Sequence, residues 1–272
     1  MSSESIIRFA DARLVYPNGT VGLDRLSVDI EAGEFVIVVG LSGAGKSTML
    51  RAINGLVRLT AGSLVVDGAE MVGMPSAQLR RLRAKVGMIF QDYRLIKRLP
   101  VLTNVLIGRL ARVPTWRALL GMWPPADVAI AQEALQRVGL PDRSHTRAGS
   151  LSGGQMQRVG IARALAQEPR IVLADEPVAS LDPITSHQVM RDLVTINREL
   201  GITTLVNLHF LDLAKRYGQR LIGLRAGTLV YDGPAADVTE SDFREIYGRP
   251  PTADDVLEKE VGHALDAVPE LT

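Results

Sequence analysis

The apolar run Phe35-Val36-Ile37-Val38-Val39 leads directly into Gly40-Leu41-Ser42-Gly43-Ala44-Gly45-Lys46-Ser47-Thr48. The second string fits GxxxxGK[ST], and its setting gives the pattern meaning: it follows a buried strand and opens a helix near Lys46. Its glycines admit φ values that a Cβ forbids, so the backbone can wrap around an anion. The N–H groups of such a nest, and of the helix start behind it, point at phosphate. Lys46 is then placed to reach the β- and γ-phosphates of a nucleotide, and the Ser47 hydroxyl to ligate Mg²⁺.

The rest of the chain agrees with this start. Strand-like and helix-like runs alternate, and the apolar strands are rich in β-branched residues, which predicts an α/β fold with a mainly parallel sheet. Strands are expected at 6–16, 26–30, 35–39, 63–66, 86–90, 171–174, 202–208, 220–224 and 228–231. The early ones predict a small antiparallel β subdomain beside the phosphate-loop core. Residues 92–168 hold no convincing strand and read as an inserted α-helical subdomain, with helices at 103–111, 127–138 and 153–167. A further helix is expected over 184–199. The 272 residues are 46% hydrophobic, enough for a large core, which excludes a disordered or collagenous chain. There is no cysteine, so disulfides, zinc-thiolate sites and cysteine nucleophiles are excluded. No apolar run approaches the roughly 20 residues that span a bilayer.

Two further strings carry chemistry. Asp175-Glu176 closes the apolar strand Ile171-Val172-Leu173-Ala174. The carboxyl end of a parallel strand is where open α/β sheets place ligands, so Asp175 is expected to hold Mg²⁺ and Glu176 to polarise water at the γ-phosphate. Leu151-Ser152-Gly153-Gly154-Gln155 contains the S-x-x-Q pattern of a capping box. Its two glycines bare a helix start for close approach to phosphate. A second anion-seeking helix start in a chain that already has a phosphate loop implies a composite site, most simply completed by another chain.

By these motifs the sequence resembles the ATP-binding subunits of ABC transporters over about residues 6–248. The resemblance implies a head-to-tail dimer in which each ATP lies between one copy's phosphate loop and its mate's LSGGQ helix. It implies roles for single residues as well. Tyr16 would stack on adenine. Gln91 would sense Mg²⁺ and couple to membrane subunits. Asp182, in Ser180-Leu181-Asp182, would stand at the dimer seam. His209 would contact the γ-phosphate as the switch histidine. Many family members follow that histidine with aspartate, but this chain has Phe210. The runs around Leu208-Tyr217, Val230-Pro234, Trp116-Trp123 and Asp175-Ser180 resemble phosphonate-import ATPases more narrowly. On that resemblance the cofactors are ATP and Mg²⁺. The partners are a second copy, transmembrane permease subunits and, indirectly, an extracytoplasmic solute-binding protein, with no nucleic acid. The place is the cytoplasmic face of the inner membrane. Phosphonate, phosphite, phosphate ester and phosphate stay open as solutes. An importer ATPase for another solute, or a non-transport ABC ATPase acting on nucleic acid or ribosomes, is the alternative.

Three features fall outside these motifs. Arg80, Arg81, Arg83, Lys85, Arg94, Lys97, Arg98, Arg109, Arg112 and Arg117 crowd residues 80–117 beside Asp92 alone. The reading is a basic face near anionic lipid headgroups. His145, His187 and His263 match nothing and read as surface residues. Residues 249–272 form an acidic extension, expected to start where Arg249-Pro250-Pro251 breaks a helix and to continue as a solvated tail or weakly packed helix.

Overall fold

The computed structural model describes residues 5–250, 252 and 255–257. The chain opens with an antiparallel hairpin, β1 (Ser5–Val15) and β2 (Val21–Glu31), whose inward positions alternate with exposed ones. Strand β3 (Phe35–Val39) follows and feeds helix α1 (Lys46–Ile53). Strands β4 (Ala61–Val66) and β5 (Ala69–Glu70) are joined by Asp67 and Gly68, both left-handed at φ 49° and 73°. That is the backbone a two-residue hairpin turn requires. These outer strands form a four-stranded antiparallel sheet in the order β2-β1-β4-β5.

Helix α2 (Ser76–Arg83) and strand β6 (Val86–Phe90) return the chain to the main sheet. The insertion then carries α3 (Val101–Leu106), a 3₁₀ turn at Ile107–Ala111, α4 (Thr115–Leu119), α5 (Pro125–Arg137) and α6 (Gly153–Leu165). Beyond it come β7 (Ile171–Asp175), α7 (Pro183–Leu200), β8 (Thr203–Asn207), α8 (Leu211–Tyr217), β9 (Arg220–Arg225), β10 (Thr228–Pro234) and α9 (Glu240–Tyr247). The main sheet runs β10-β9-β3-β8-β7-β6, parallel throughout except for the antiparallel edge β10.

Strands β3, β7 and β8 are buried at every position, because layers cover both faces of the sheet. The period of two divides their side chains between two cores. Phe35, Ile37 and Val39 join Val172, Ala174 and Val206 against the helices of the insertion and α7. Val36 and Val38 join Ile171, Leu173 and Leu205 against α1 and the antiparallel sheet. The expected fold class, a mainly parallel sheet with helices beside an antiparallel β sheet, is the one observed.

Packing corrects three expectations. His187 is buried, not a surface residue: it lies on the inner face of α7 with Val189 and Met190, and its Nδ1 is 2.9 Å from the Tyr217 hydroxyl. The basic segment is partly spent on structure. Arg83 donates to the Asn54 and Gly55 carbonyls, Lys85 pairs with Asp67, and Arg109 is buried against Asp127 at 2.7 Å and Glu168 at 2.7 Å. Helix α9 ends not at the prolines but ahead of them: Gly248, two residues before Pro250, is the left-handed cap at φ 65°. The first residues of the extension then fold back. Arg249 holds Asp255 through two hydrogen bonds of 2.6 and 2.9 Å, and Leu257 is buried in the larger core. The remainder of the acidic extension, like His263, lies outside the described residues.

Arg109 ties the insertion to the end of α6, since it also donates to the Ala166 carbonyl at 2.8 Å. Arg109→Ala is expected to lower stability by about 3–5 kcal/mol, because Asp127 would keep a buried charge without its partner. Urea unfolding of the variant beside the parent checks this; a loss under about 1 kcal/mol would deny the pair its anchoring role.

Candidate functional site

Strand β3 ends at Val39, and the chain turns sharply through Gly40 at φ 148°. A Cβ there would stand 2.3 Å from the Leu224 carbonyl oxygen on the neighbouring strand. Gly45 caps α1 with φ 105°, and its Cβ would stand 2.5 Å from the Gly22 carbonyl oxygen. Both positions need glycine for conformation and for space, and together they hold the loop open as a nest at the helix start. Lys46 is only 4% exposed. Its ammonium donates to the Gly40 carbonyl at 2.7 Å and the Leu41 carbonyl at 3.1 Å, so it curls back across the loop's mouth. Burial pushes its pKa down from the ordinary lysine value, while Glu176 and Asp175 pull it up.

Sheet register brings the carboxylates to this loop. Asp175, the last residue of β7, lies level with Phe90 on β6 and Asn207 on β8. Gln91 and the Leu208-His209 pair therefore leave the sheet at the same end. Asp175 Oδ1 accepts the Ser47 hydroxyl at 2.7 Å and the Asn207 amide at 2.9 Å. The side chain of Arg51 approaches its other oxygen at 3.8 Å. Glu176 adopts φ 53°, a left-handed conformation that is uncommon for such a residue and recurs at functional sites. This turn aims its carboxylate at His209, whose Nε2 lies 2.5 Å from Glu176 Oε1. The hydrogen bond from His209 holds the Glu176 carboxyl below the usual range; burial opposes the shift, and the positive charges of His209 and Lys46 reinforce it.

A cleft of about 220 Å³ opens over the loop, walled by residues 42–48, Tyr16, Thr20, Val21, Gly22 and Glu176. Tyr16 crosses Gly22, and its hydroxyl is 3.0 Å from the Thr48 hydroxyl. A second hollow of about 200 Å³ shares Glu176 and continues along Val178, Ala179, Leu208, His209 and Phe210. Thus Tyr16, residues 40–48, Asp175, Glu176 and His209 come together, with Gln91 exposed just beyond β6.

Leu151–Gln155 and Asp182 do not line this cleft. Ser152 caps α6 with the reciprocal box: Gln155 N–H donates to its hydroxyl at 3.3 Å, and the Gln155 side chain accepts from Ser152 N–H at 3.1 Å. Asp182 caps α7 by accepting from Thr185 N–H at 3.0 Å. Gly154 meets α7 so closely that a Cβ would lie 2.4 Å from the Thr185 methyl.

Sequence reading missed two participants. Asn207 is fully buried beside Asp175; only the register of β7 and β8 reveals it. Arg163, on α6, donates to the Tyr93 and Arg94 carbonyls at 2.9 and 2.6 Å. It ties the helix that begins with the capping box to the loop after Gln91, where Tyr93 and Arg94 both have positive φ. Nothing in the sequence pairs an arginine with carbonyls some seventy residues away.

Comparison with known proteins follows the same outline. The ABC transporter family matches residues 23–179. The chain is 56% identical to the phosphonates import ATP-binding protein PhnC 3 of Halalkalibacterium halodurans over 93% of its own length and 98% of that protein. It is 53% identical to the phosphonates import ATP-binding protein PhnC of Staphylococcus aureus over 93% of its own length and 98% of that protein. A dimeric ATP-binding cassette in a post-hydrolysis state, bound to ADP and Pi, superposes with TM-score 0.74 at 32% identity, covering 84% of this chain and 98% of that one. The cassette cbiO1 of Clostridium perfringens, part of the ABC transporter complex cbiONQ, gives TM-score 0.78 at 27% identity, covering 89% and 94%.

Proposed function

The chain belongs to the ABC transporter family and carries its ATP-binding domain, and from that premise we propose that it is the ATP-hydrolysing subunit of an importer for phosphonate or a related phosphorus oxyanion. One observation carries the reading: the glycine nest, Lys46 and Glu176 share one cleft, and Asp175 is joined to it through the Ser47 hydroxyl at 2.7 Å. The near full-length likeness to phosphonates import ATP-binding proteins supplies the solute class.

ATP enters with its phosphates on the N–H groups of residues 42–48 and its adenine against Tyr16. Lys46 exchanges the Gly40 and Leu41 carbonyls for phosphate oxygens. The Ser47 hydroxyl and the Asp175 carboxylate, already 2.7 Å apart, are hard oxygen donors, a donor set that suits Mg²⁺. Together with the Gln91 amide they would hold the ion, which supplies charge neutralisation on the phosphates. Glu176 orients a water molecule in line with the γ-phosphorus. As the water oxygen bonds to phosphorus, the bond to the bridging oxygen breaks and the water proton passes towards Glu176. While His209 holds it, the Glu176 carboxylate is a weak base. Transfer of His209 to the γ-phosphate releases that hydrogen bond and restores basicity where it is used. Fixed charges and positioning supply the rate; no covalent protein intermediate is involved.

The second anion-directed helix start, at Ser152–Gln155, comes from a second copy and closes over the γ-phosphate, with Asp182 at the seam. ATP then holds the dimer shut, hydrolysis opens it, and Gln91 passes the change to separate transmembrane subunits. Arg163 makes α6 and the loop after Gln91 one mechanical unit.

The test is the assembled complex in lipid vesicles with its solute-binding protein. ATPase activity is expected to rise several-fold when that protein carries a phosphonate. Stimulation by an unrelated solute, with none by phosphonate or another phosphorus oxyanion, would overturn the solute reading and leave the ATPase reading standing.

A further inference from the structure

The insertion contains an excursion that the nucleotide site does not use. Val113 is buried at one end, and Trp123 packs on the larger core at the other. Between these anchors the short helix α4 and its turn project Trp116 (55% exposed), Leu119 (82%), Leu120 (68%) and Met122 (53%). Four large apolar side chains within residues 116–122, each more than half exposed, form a tip rather than the lining of a groove. The guanidinium of Arg117 lies over the Trp116 ring, 5.3 Å from its centre. From Tyr93 to Ala126 the sequence contains no Asp or Glu. Of the cations in that span Arg109 is buried, Arg112 pairs with Glu168 at 3.5 Å and Arg94 with Asp92 at 3.2 Å, while Arg117, Lys97 and Arg98 are exposed.

We infer that the Pro114–Met122 excursion is a membrane-contact tip: Trp116, Leu119, Leu120 and Met122 enter the interfacial zone of a leaflet with anionic headgroups, and Arg117 meets the headgroups. Composition and shape both favour lipid. Tryptophan and leucine on one surface with arginine beside them are the make-up of segments that lie in an interface. The excursion itself carries no carboxylate for an anionic surface to repel, Glu168 being paired with Arg109 and Arg112, and the exposed Arg117 adds attraction. A projecting tip on a five-residue helix suits a deformable acyl boundary, whereas a helical protein partner would need a groove. Among the described residues no helix is long and apolar enough to cross a membrane, so this contact is peripheral. It goes beyond the transport reading, because it gives the ATP-binding subunit its own hold on the bilayer.

The test uses the full chain alone, floated with vesicles of phosphatidylcholine with or without phosphatidylglycerol. The parent is expected to bind the anionic vesicles, more weakly at high salt, and to bind the neutral ones poorly. Leu119→Ser combined with Leu120→Ser is expected to cut that binding about tenfold or more, with ATPase activity unchanged. In a Trp123→Phe background Trp116 is the remaining tryptophan, and its emission is expected to shift blue on anionic vesicles. Absence of binding to anionic vesicles, equal binding by the double variant, or an unshifted Trp116 emission would each overturn the inference. A double variant that fails to assemble with its membrane subunits, beside a parent that ignores vesicles, would assign the tip to a protein contact instead.

Discussion

Glu176→Gln is expected to bind ATP, to hydrolyse it about 10²–10⁴-fold more slowly than the parent, and to accumulate as a dimer. The amide matches the carboxylate in size, so the left-handed turn at residue 176 and the cleft wall stay as they are. What disappears is the group that receives the water proton. The substitution also removes a negative charge from the mouth of a site built for polyphosphate, which favours nucleotide. Bound ATP is then not consumed, and the glycine nest of one copy and the capped helix of its mate stay clamped on it. Phosphate release measures the first effect, and size-exclusion chromatography with light scattering in ATP measures the second. Turnover at the parent rate would remove Glu176 from its role. Slow turnover by a species that stays monomeric would spare Glu176 and sink the shared site.

Lys46→Ala is expected to weaken ATP binding by about 30–3,000-fold while the fold survives. The lower and upper figures correspond to about 2–5 kcal/mol, the cost of removing one partner from a buried charged contact. The ammonium rests on two carbonyls in a buried place that disfavours its charge. Its removal therefore costs the empty protein much less than it costs the complex. Titration calorimetry with ATP should show the loss, and a thermal melt without nucleotide should show only a small shift. A variant that melts far earlier would make Lys46 a structural residue first. One that binds ATP normally would take the lysine out of the phosphate contact.

Much of the fold was legible because its signals are local. The run 35–39 reads as a buried strand because all its side chains are apolar, and the glycines behind it have few conformational alternatives. The capping box at Ser152–Gln155 needs only residues three apart. Most expected strands and helices agree with the observed ones to within a few residues for the same reason, although β2 begins at Val21, five residues before its expected start. Helices α2, α4 and α8 were not anticipated, because each is too short for a helical period to show in the sequence.

The candidate site divides in the same way. Lys46, Ser47, Asp175 and Glu176 stand out by type and place along the chain, and His209 through the family resemblance. Asn207 does not, because a buried asparagine at the end of an apolar strand gains its meaning from Asp175 on the neighbouring strand. His187 was misjudged although the spacing of α7 already puts it on the same side as Val194 and beside Met190. Arg109 and Arg83 looked like free charge because their partners lie in other segments.

The amino-acid string by itself determined the phosphate loop, the capped helix starts and the alternation of strands and helices, since each rests on backbone preferences that act within one or two turns of chain. Tertiary packing alone decided which cations remain free, which carboxylate meets the Ser47 hydroxyl, and which end of the sheet carries the chemistry. Those outcomes depend on distances between residues far apart in the chain, and such distances exist only once the strands have chosen their neighbours.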